Sequence, residues 1–261
     1  QINLSHDSIV NCGTLDHFAG MIGTGNIKKG KVSESTGTVL AIAAIADSFR
    51  TDKGTIPCHY GPFPDSYVYL PVCESGGISL EWYRDNFAKD KSFKDLDELA
   101  SQRQPDKNLV FLPYIVGVNS PEFNRNALGV FYGLKSEHDE VSLAAAVMEG
   151  VAFLLDKNID ALRDLGIIPA EIITTGGGAK SDFWNQLKAD ITGIPVVIPE
   201  NPEAALFGAA IIGAVTSGRI SGYEQATELI KIKKKFYPRK NEILNNKKQL
   251  FNNIYEKLFS V

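Results

Sequence analysis

Apolar positions recur at helical spacing over Ser142–Leu165, where Leu143, Ala146, Val147, Val151, Leu154, Leu155, Ile159 and Leu162 share one face. This is the longest helix the chain predicts, and Gly166 supplies its stop. Shorter helical patterns cover Ile78–Phe87, residues 92–103, Lys180–Ile191, Pro202–Thr216, Tyr223–Lys231 and Lys240–Phe259. The Pro202–Thr216 pattern is rich in Ala and Gly, which would let the helix lie close to a sheet. Leu244, Leu250, Phe251, Ile254, Tyr255 and Leu258 are the docking positions of the last pattern.

Between these patterns lie short apolar or β-branched runs that read as strands: Ser8–Leu15, Asn108–Pro113, Glu171–Thr175 and Ile194–Pro199. Lys31–Asp47 alternates and then turns wholly apolar, as expected for a hairpin, or two consecutive strands, turning near Thr36–Gly37. Residues 55–75 combine four prolines with alternating aromatics and predict strands joined by a Pro-rich loop. Strands and helices interleave, so periodicity alone predicts an α/β chain with a mixed sheet. Trp82, on the short helix after Gly76–Gly77, is assigned to the core.

The most informative stretch is Glu171–Ala210. A β-branched run, EIITT, meets Gly176, Gly177 and Gly178, and a helix carrying Phe183, Trp184, Leu187 and Ile191 on one face follows. Glycines without Cβ atoms let backbone approach a ligand closely, and a helix start offers free N–H groups to an anion. The spacing is neither GxxxxGK[ST] nor GxGxxG, so the glycines read equally as a phosphate-binding bend or a tight turn. Asp16 sits where a helix N-cap would, with His17 beside it as a structural neighbour. The STGT segment containing Gly37 and Thr38 reads, alone, as a polar turn.

Composition narrows the function classes. The 261 residues carry a net charge of −4 with 44% hydrophobic and 22% charged residues, ordinary for a globular protein with a sizeable core. No basic stripe points to nucleic acid; the KIKKKFYPRK cluster at Lys231–Lys240 reads as a solvated face or connecting loop. No apolar run is long enough for a bilayer span. Cys12, Cys58 and Cys73 lack CxxC spacing, which argues against a zinc site or disulfide framework and fits a reducing cytoplasm. The opening residues have no initiator Met and read as part of a longer polypeptide.

The combination GGGAKSDFWNQLKADITGIPV and EAALFGAA resembles the C-terminal domain of the FGGY family of carbohydrate kinases. Gln186, Ala189 and Asp190 match that family's helix after the glycines, and Glu203, Ala204, Gly208, Ala209 and Ala210 match its small-residue helix. Upstream, Gly13, Asp16, Ala19, Gly23 and Gly25 match its Gly-x-x-Asp and Gly-x-Gly segment. Gly37 and Thr38 match its Gly-Thr pair, although Val39 and Leu40 stand where Ser-Gly often follows. Pro113, Tyr114, Gly117, Pro121, Gly129, Phe131, Gly133 and Leu134 match another stretch, with Val118 and Asn119 in place of a Glu-Arg pair. Glu149 and Gly150 match a Glu-Gly in the long helix, with Glu149 expected to tie down a loop and Gly150 to permit close packing.

The resemblance implies a ribonuclease-H-like, actin-like ATPase fold, a mixed sheet flanked by helices, and xylulose kinase as the nearest subgroup. It implies ATP with Mg²⁺ as cofactors, with no metal ligand assigned within this chain. Asp16 is then the general base toward a sugar hydroxyl; a carboxylate within hydrogen-bond reach can accept the proton as the new P–O bond forms. Gly37 and Thr38 steady the phosphates. Gly177, Gly178 and Ala179 cradle the adenosine, with Asp182 near adenine or ribose. Residues 1–261 are expected to form one C-terminal domain, with the sugar held mainly by an N-terminal domain outside this chain and the isolated domain inactive. The expected partners are ATP or ADP and a sugar or polyol, with a homodimer left open and neither nucleic acid nor membrane involved. The alternatives are a non-catalytic nucleotide-dependent interaction module on the same superfamily fold, or a kinase for glycerol, gluconate, ribulose or fuculose.

Overall fold

The computed structural model describes residues 4–51 and 56–259. Its elements in chain order are α1 (Asp16–Gly23), β1 (Lys31–Thr36), β2 (Leu40–Ala46), β3 (Cys58–Tyr60), β4 (Tyr67–Tyr69), β5 (Val72–Cys73), α2 (Ile78–Phe87), α3 (Phe93–Ser101), β6 (Val110–Leu112), β7 (Val130–Tyr132), α4 (Glu140–Asp164), β8 (Glu171–Thr175), α5 (Asp182–Thr192), β9 (Val196–Pro199), α6 (Ala204–Thr216), α7 (Tyr223–Thr227), β10 (Ile232–Phe236) and α8 (Glu242–Phe259). Thr55, the first residue of the predicted Pro-rich hairpin, lies outside the described residues.

Among the described residues an eight-stranded mixed sheet runs β10-β9-β8-β1-β2-β4-β3, with β5 also paired to β2. The β1–β8 and β8–β9 pairs are parallel; the others are antiparallel. The alternation of β2 decides what covers each face. Ile42 and Ala44 join the large core with α4, α5 and α8, whereas Ala43 and Ile45 pack with Phe18 and Met21 of α1. Every residue of β2 is buried, which is why its sequence shows no polar alternation.

On the α1 face, α1 and α6 approach to backbone contact. A Cβ on Gly23 would lie 1.9 Å from the Ala204 carbonyl oxygen, and one on Gly208 would lie 1.7 Å from that of Ala19. The small residues of α6 thus serve its contact with α1 rather than the close approach to a sheet expected of them. On the other face α4 is buried over most of its length, and a Cβ on Gly150 would meet the Phe111 carbonyl oxygen at 2.3 Å, so Gly150 permits close packing as expected. Gly166, at φ +80°, follows the end of α4. Trp82 stacks on Phe111 at the core boundary.

Some expectations need correction. Ser8–Leu15 is not a strand; residues 4–16 are exposed, with Ile9, Val10 and Leu15 more than half accessible. An apolar run becomes a strand when a sheet edge pairs its backbone, and none of the sheet's strands pairs with this segment. Asp16 is the first residue of α1, and the cap position belongs to Leu15, which makes no side-chain cap bond. Glu149 does not tie down a loop: its buried carboxylate pairs with the buried Lys247 ammonium and so fastens α8 to α4. The basic cluster is solvated as read, yet Ile232–Phe236 forms the edge strand β10, where exposed Lys233, Lys234 and Lys235 discourage further strand pairing. Leu258 of α8 is exposed, unlike the other docking positions.

Candidate active site

The parallel register Ser35↔Thr175 brings the C-terminal ends of β1 and β8 side by side. Beyond β1 the chain turns back through Gly37, Thr38 and Val39 into β2. Beyond β8 it bends at Gly176, at φ +76°, into a 3₁₀ turn over Gly177–Lys180. A side chain at Gly176 would be strained by its φ and would crowd Ser35 Oγ at 2.9 Å. A Cβ on Gly178 would come within 2.7 Å of Thr36 Cβ. These glycines are therefore required for the two turns to touch, whether or not a ligand is bound.

The two turns border a cavity of about 860 Å³, within the range of small-molecule sites. Thr36, Gly37 and Thr38 line one side, and Gly177, Gly178, Lys180 and Asp182 another. Both glycines open a helical turn, where the first N–H groups have no intrahelical acceptor. Leu80, Phe93, Met148, Phe183 and Trp184 supply apolar wall. Glu81, Asp97, Glu98 and Asp182 also line it, with Lys94 paired to Glu98 and Lys180 the other cation, so the side chains do not make the wall cationic and an anionic part of a ligand would be met by the open amides.

Other elements hold this geometry. Gly77, just before α2, donates its N–H to the Gly37 carbonyl at 2.7 Å, and Ile78 donates to the Thr38 carbonyl at 3.1 Å. Ser181 caps α5 by accepting from the Trp184 N–H at 2.9 Å, and its hydroxyl donates to Asp97 of α3. Burial pushes the Asp97 carboxyl up, partly offset by that hydroxyl. The Trp184 indole N–H donates to the Met148 carbonyl at 2.8 Å, locking the ring against α4.

Of the residues singled out in the sequence, Gly37, Thr38, Gly177, Gly178 and Asp182 share this cavity. Ala179 does not line it; its side chain packs against the main core. Asp182 is largely exposed and ion-paired with Lys234 of β10. Asp16 is not in the cavity wall. It opens α1 with its side chain 82% accessible, accepting from the His17 backbone N–H at 2.8 Å and lying 3.1 Å from His17 Nδ1. The His17 backbone N–H, then the imidazole's charge and hydrogen bond, hold the Asp16 carboxyl below the usual carboxylate range. The wall contributed by α3 escaped the sequence reading, which saw a polar helix; Phe93 on an otherwise charged segment was the signal available. Among the described residues no group of three or more His, Cys, Asp or Glu is placed to hold a metal ion, and no helix is long and apolar enough to cross a membrane.

Residues 36–217 match the C-terminal domain of the FGGY family of carbohydrate kinases. The chain belongs to this family. The chain is 31% identical over 251 residues to a xylulose kinase of Bacillus subtilis (strain 168), covering 94% of this chain and 50% of that protein. It is 34% identical over 231 residues to a gluconokinase of Bacillus licheniformis, covering 84% of this chain and 45% of the relative. The crystal structure of a ligand-bound xylulose kinase from Lactobacillus acidophilus superposes with a TM-score of 0.84 at 27% identity, over 92% of this chain and 50% of that one. The expected mixed-sheet fold flanked by helices is thus the fold observed. The chain spans about half the length of the relatives it matches. Asp16 precedes the segment matched by the family's C-terminal domain.

Proposed function

We propose that this chain is the nucleotide-binding half of a kinase that moves the γ-phosphoryl group of ATP to a hydroxyl of a ketopentose such as xylulose, or a related sugar or polyol. The observation that carries the reading is that Gly37–Thr38 and Gly177–Gly178 border one cavity at the C-terminal ends of adjacent parallel strands, where ligands of open α/β sheets bind.

In this reading the Gly37–Thr38 turn steadies the phosphates through backbone N–H groups and the Thr38 hydroxyl. Gly177 and Gly178 cradle the nucleoside, with Ala179 contributing backbone alone and Asp182 on the rim. ATP supplies the phosphoryl group, and Mg²⁺ travelling with its phosphates supplies charge neutralisation. Asp16 serves as general base in the complete protein. Its carboxyl is exposed and, with a pKa held below the ordinary carboxylate value by His17, is ionised at neutral pH, the form that accepts a proton. The acceptor sugar is held mainly by a further N-terminal domain, and the enzyme works in the cytoplasm.

The test is an ADP-release assay on the full-length protein containing this chain, with xylulose, ribulose, fuculose, glycerol and gluconate as acceptors. Xylulose is expected to give the highest kcat/KM; absence of turnover with every acceptor would overturn the reading. Gluconate is the second candidate, because a gluconokinase is the relative at 34% identity.

A further inference from the structure

Lys188 of α5 and Glu34 of β1 are completely buried, and they form an ion pair beneath the cavity. The Lys188 ammonium donates to both Glu34 carboxylate oxygens at 3.1 Å and to Thr36 Oγ1 at 2.8 Å. The Thr36 hydroxyl in turn donates to Glu34 Oε1, which closes a triad of side chains. Lys188 also lies 5.4 Å from the centroid of the Trp184 ring, which borders the cavity.

Stability does not explain this pair. Two charges brought into a core lose hydration that their mutual attraction roughly repays, and apolar replacements of similar volume are often as stable or more so. Position does explain it. Thr36 is the last residue of β1 and lines the cavity. The backbone of Gly178 comes so close that a Cβ there would fall 3.1 Å from Thr36 Cγ2 and 2.7 Å from Cβ. With the Thr36 hydroxyl engaged in the triad, its rotamer is fixed, and the separation between the hairpin turn and the glycine bend is fixed with it.

We propose that Lys188 and Glu34 are positioning residues which, through Thr36, set the gap between the Gly37–Thr38 turn and the Gly177–Gly178 bend and thereby the affinity for the phosphate-bearing part of a nucleotide. The inference rests on the nucleotide reading above and adds a determinant to it. Neither residue lines the cavity.

The experiment measures ADP and adenosine binding by calorimetry, and thermal midpoints, in the full-length protein containing this chain. The Lys188→Met/Glu34→Leu double variant removes both charges together, so no lone charge is left buried. It is expected to fold, with a midpoint lowered only by the Thr36 hydroxyl left without its two partners, and to lose about tenfold in ADP affinity, while adenosine affinity moves by less than about twofold. A change that merely loosened the core would weaken both ligands together. Thr36→Val, which keeps the shape and drops the hydroxyl, is expected to reproduce the ADP loss, and Thr36→Ser to recover most of it. Thr36→Val decides the matter if the double variant fails to fold. ADP affinity within twofold of the unsubstituted protein in a folded variant, or equal losses for ADP and adenosine, would overturn the inference. Failure of the unsubstituted protein to bind either ligand would overturn the nucleotide reading and this inference with it.

Discussion

At the scale of single residues, Asp16 is the most exposed chemical commitment of the chain. Its hydrogen bonds come from His17, its own neighbour in sequence, so the carboxylate holds no element in place. Asp16→Asn should therefore leave the thermal midpoint within about 1 °C, as for a surface change within roughly 0.5 kcal/mol. Steady-state kinetics of the full-length protein should show a fall in kcat of at least about 10²-fold, the scale of general-base catalysis. An unchanged kcat would remove the base from Asp16. The glycines at 176–178 were legible as a bend that only small residues allow, because φ > 0 and close approach leave a direct mark on sequence. The Glu34–Lys188 pair was not legible. A Glu within an alternating strand reads as a solvent-facing position, and only the packing of α5 on that face buries it.

At the scale of elements, two helix contacts make contrasting predictions. The α1–α6 crossing has no room for a methyl group, so Gly208→Ala should destabilise by about 1–3 kcal/mol or more through forced separation of the helices. Urea unfolding would record this as a lower midpoint at an unchanged slope; a neutral result would mean the helices can slide apart freely. Between α4 and α8, Asp156 is buried with Lys248 2.5 Å away, and burial, partly offset by Lys248, raises its carboxyl pKa from 3.8 to about 6. The folded chain thus holds this proton more tightly than the unfolded chain. The stability this contributes is complete below pH 3.8 and is lost as pH rises towards about 6. Asp156→Asn should match the unsubstituted protein near the acid end and exceed it at pH 7 by on the order of 3 kcal/mol. Lys248 keeps Asp160 as a partner at 3.0 Å. Unfolding free energies measured across that pH range with parallel curves for the two proteins would contradict the assignment. Helix periodicity foretold α4 and α8 well, because their apolar stripes are long. The strand expected of the apolar run Ser8–Leu15 is not formed, since apolarity signals burial but does not name the partner that buries.

At the scale of the whole molecule, the chain covers about half of each relative, and its candidate base and its cavity do not meet within it. The 261-residue chain alone is accordingly expected to bind nucleotide weakly and to give no measurable turnover with xylulose or gluconate in an ADP-release assay. Turnover comparable to that of the full-length protein would show that the chain needs nothing further. The fold class was readable from interleaved strands and helices and from the family's glycine and alanine patterns. The cavity was half readable, because its glycine turns are sequence signatures, whereas its α3 wall arises from tertiary placement of an ordinary polar helix.

Trp184 borders the cavity with its indole N–H fastened to Met148, while Trp82, the other tryptophan of the sequence, stacks on Phe111 at the core boundary. The molecule thus carries its own optical gauge. Replacing Trp82 by Phe leaves Trp184 as the sole tryptophan; excited selectively over the tyrosines, its emission should change when ADP enters and stay constant when free phosphate is added, so occupancy can be followed by light alone, in real time and without a label.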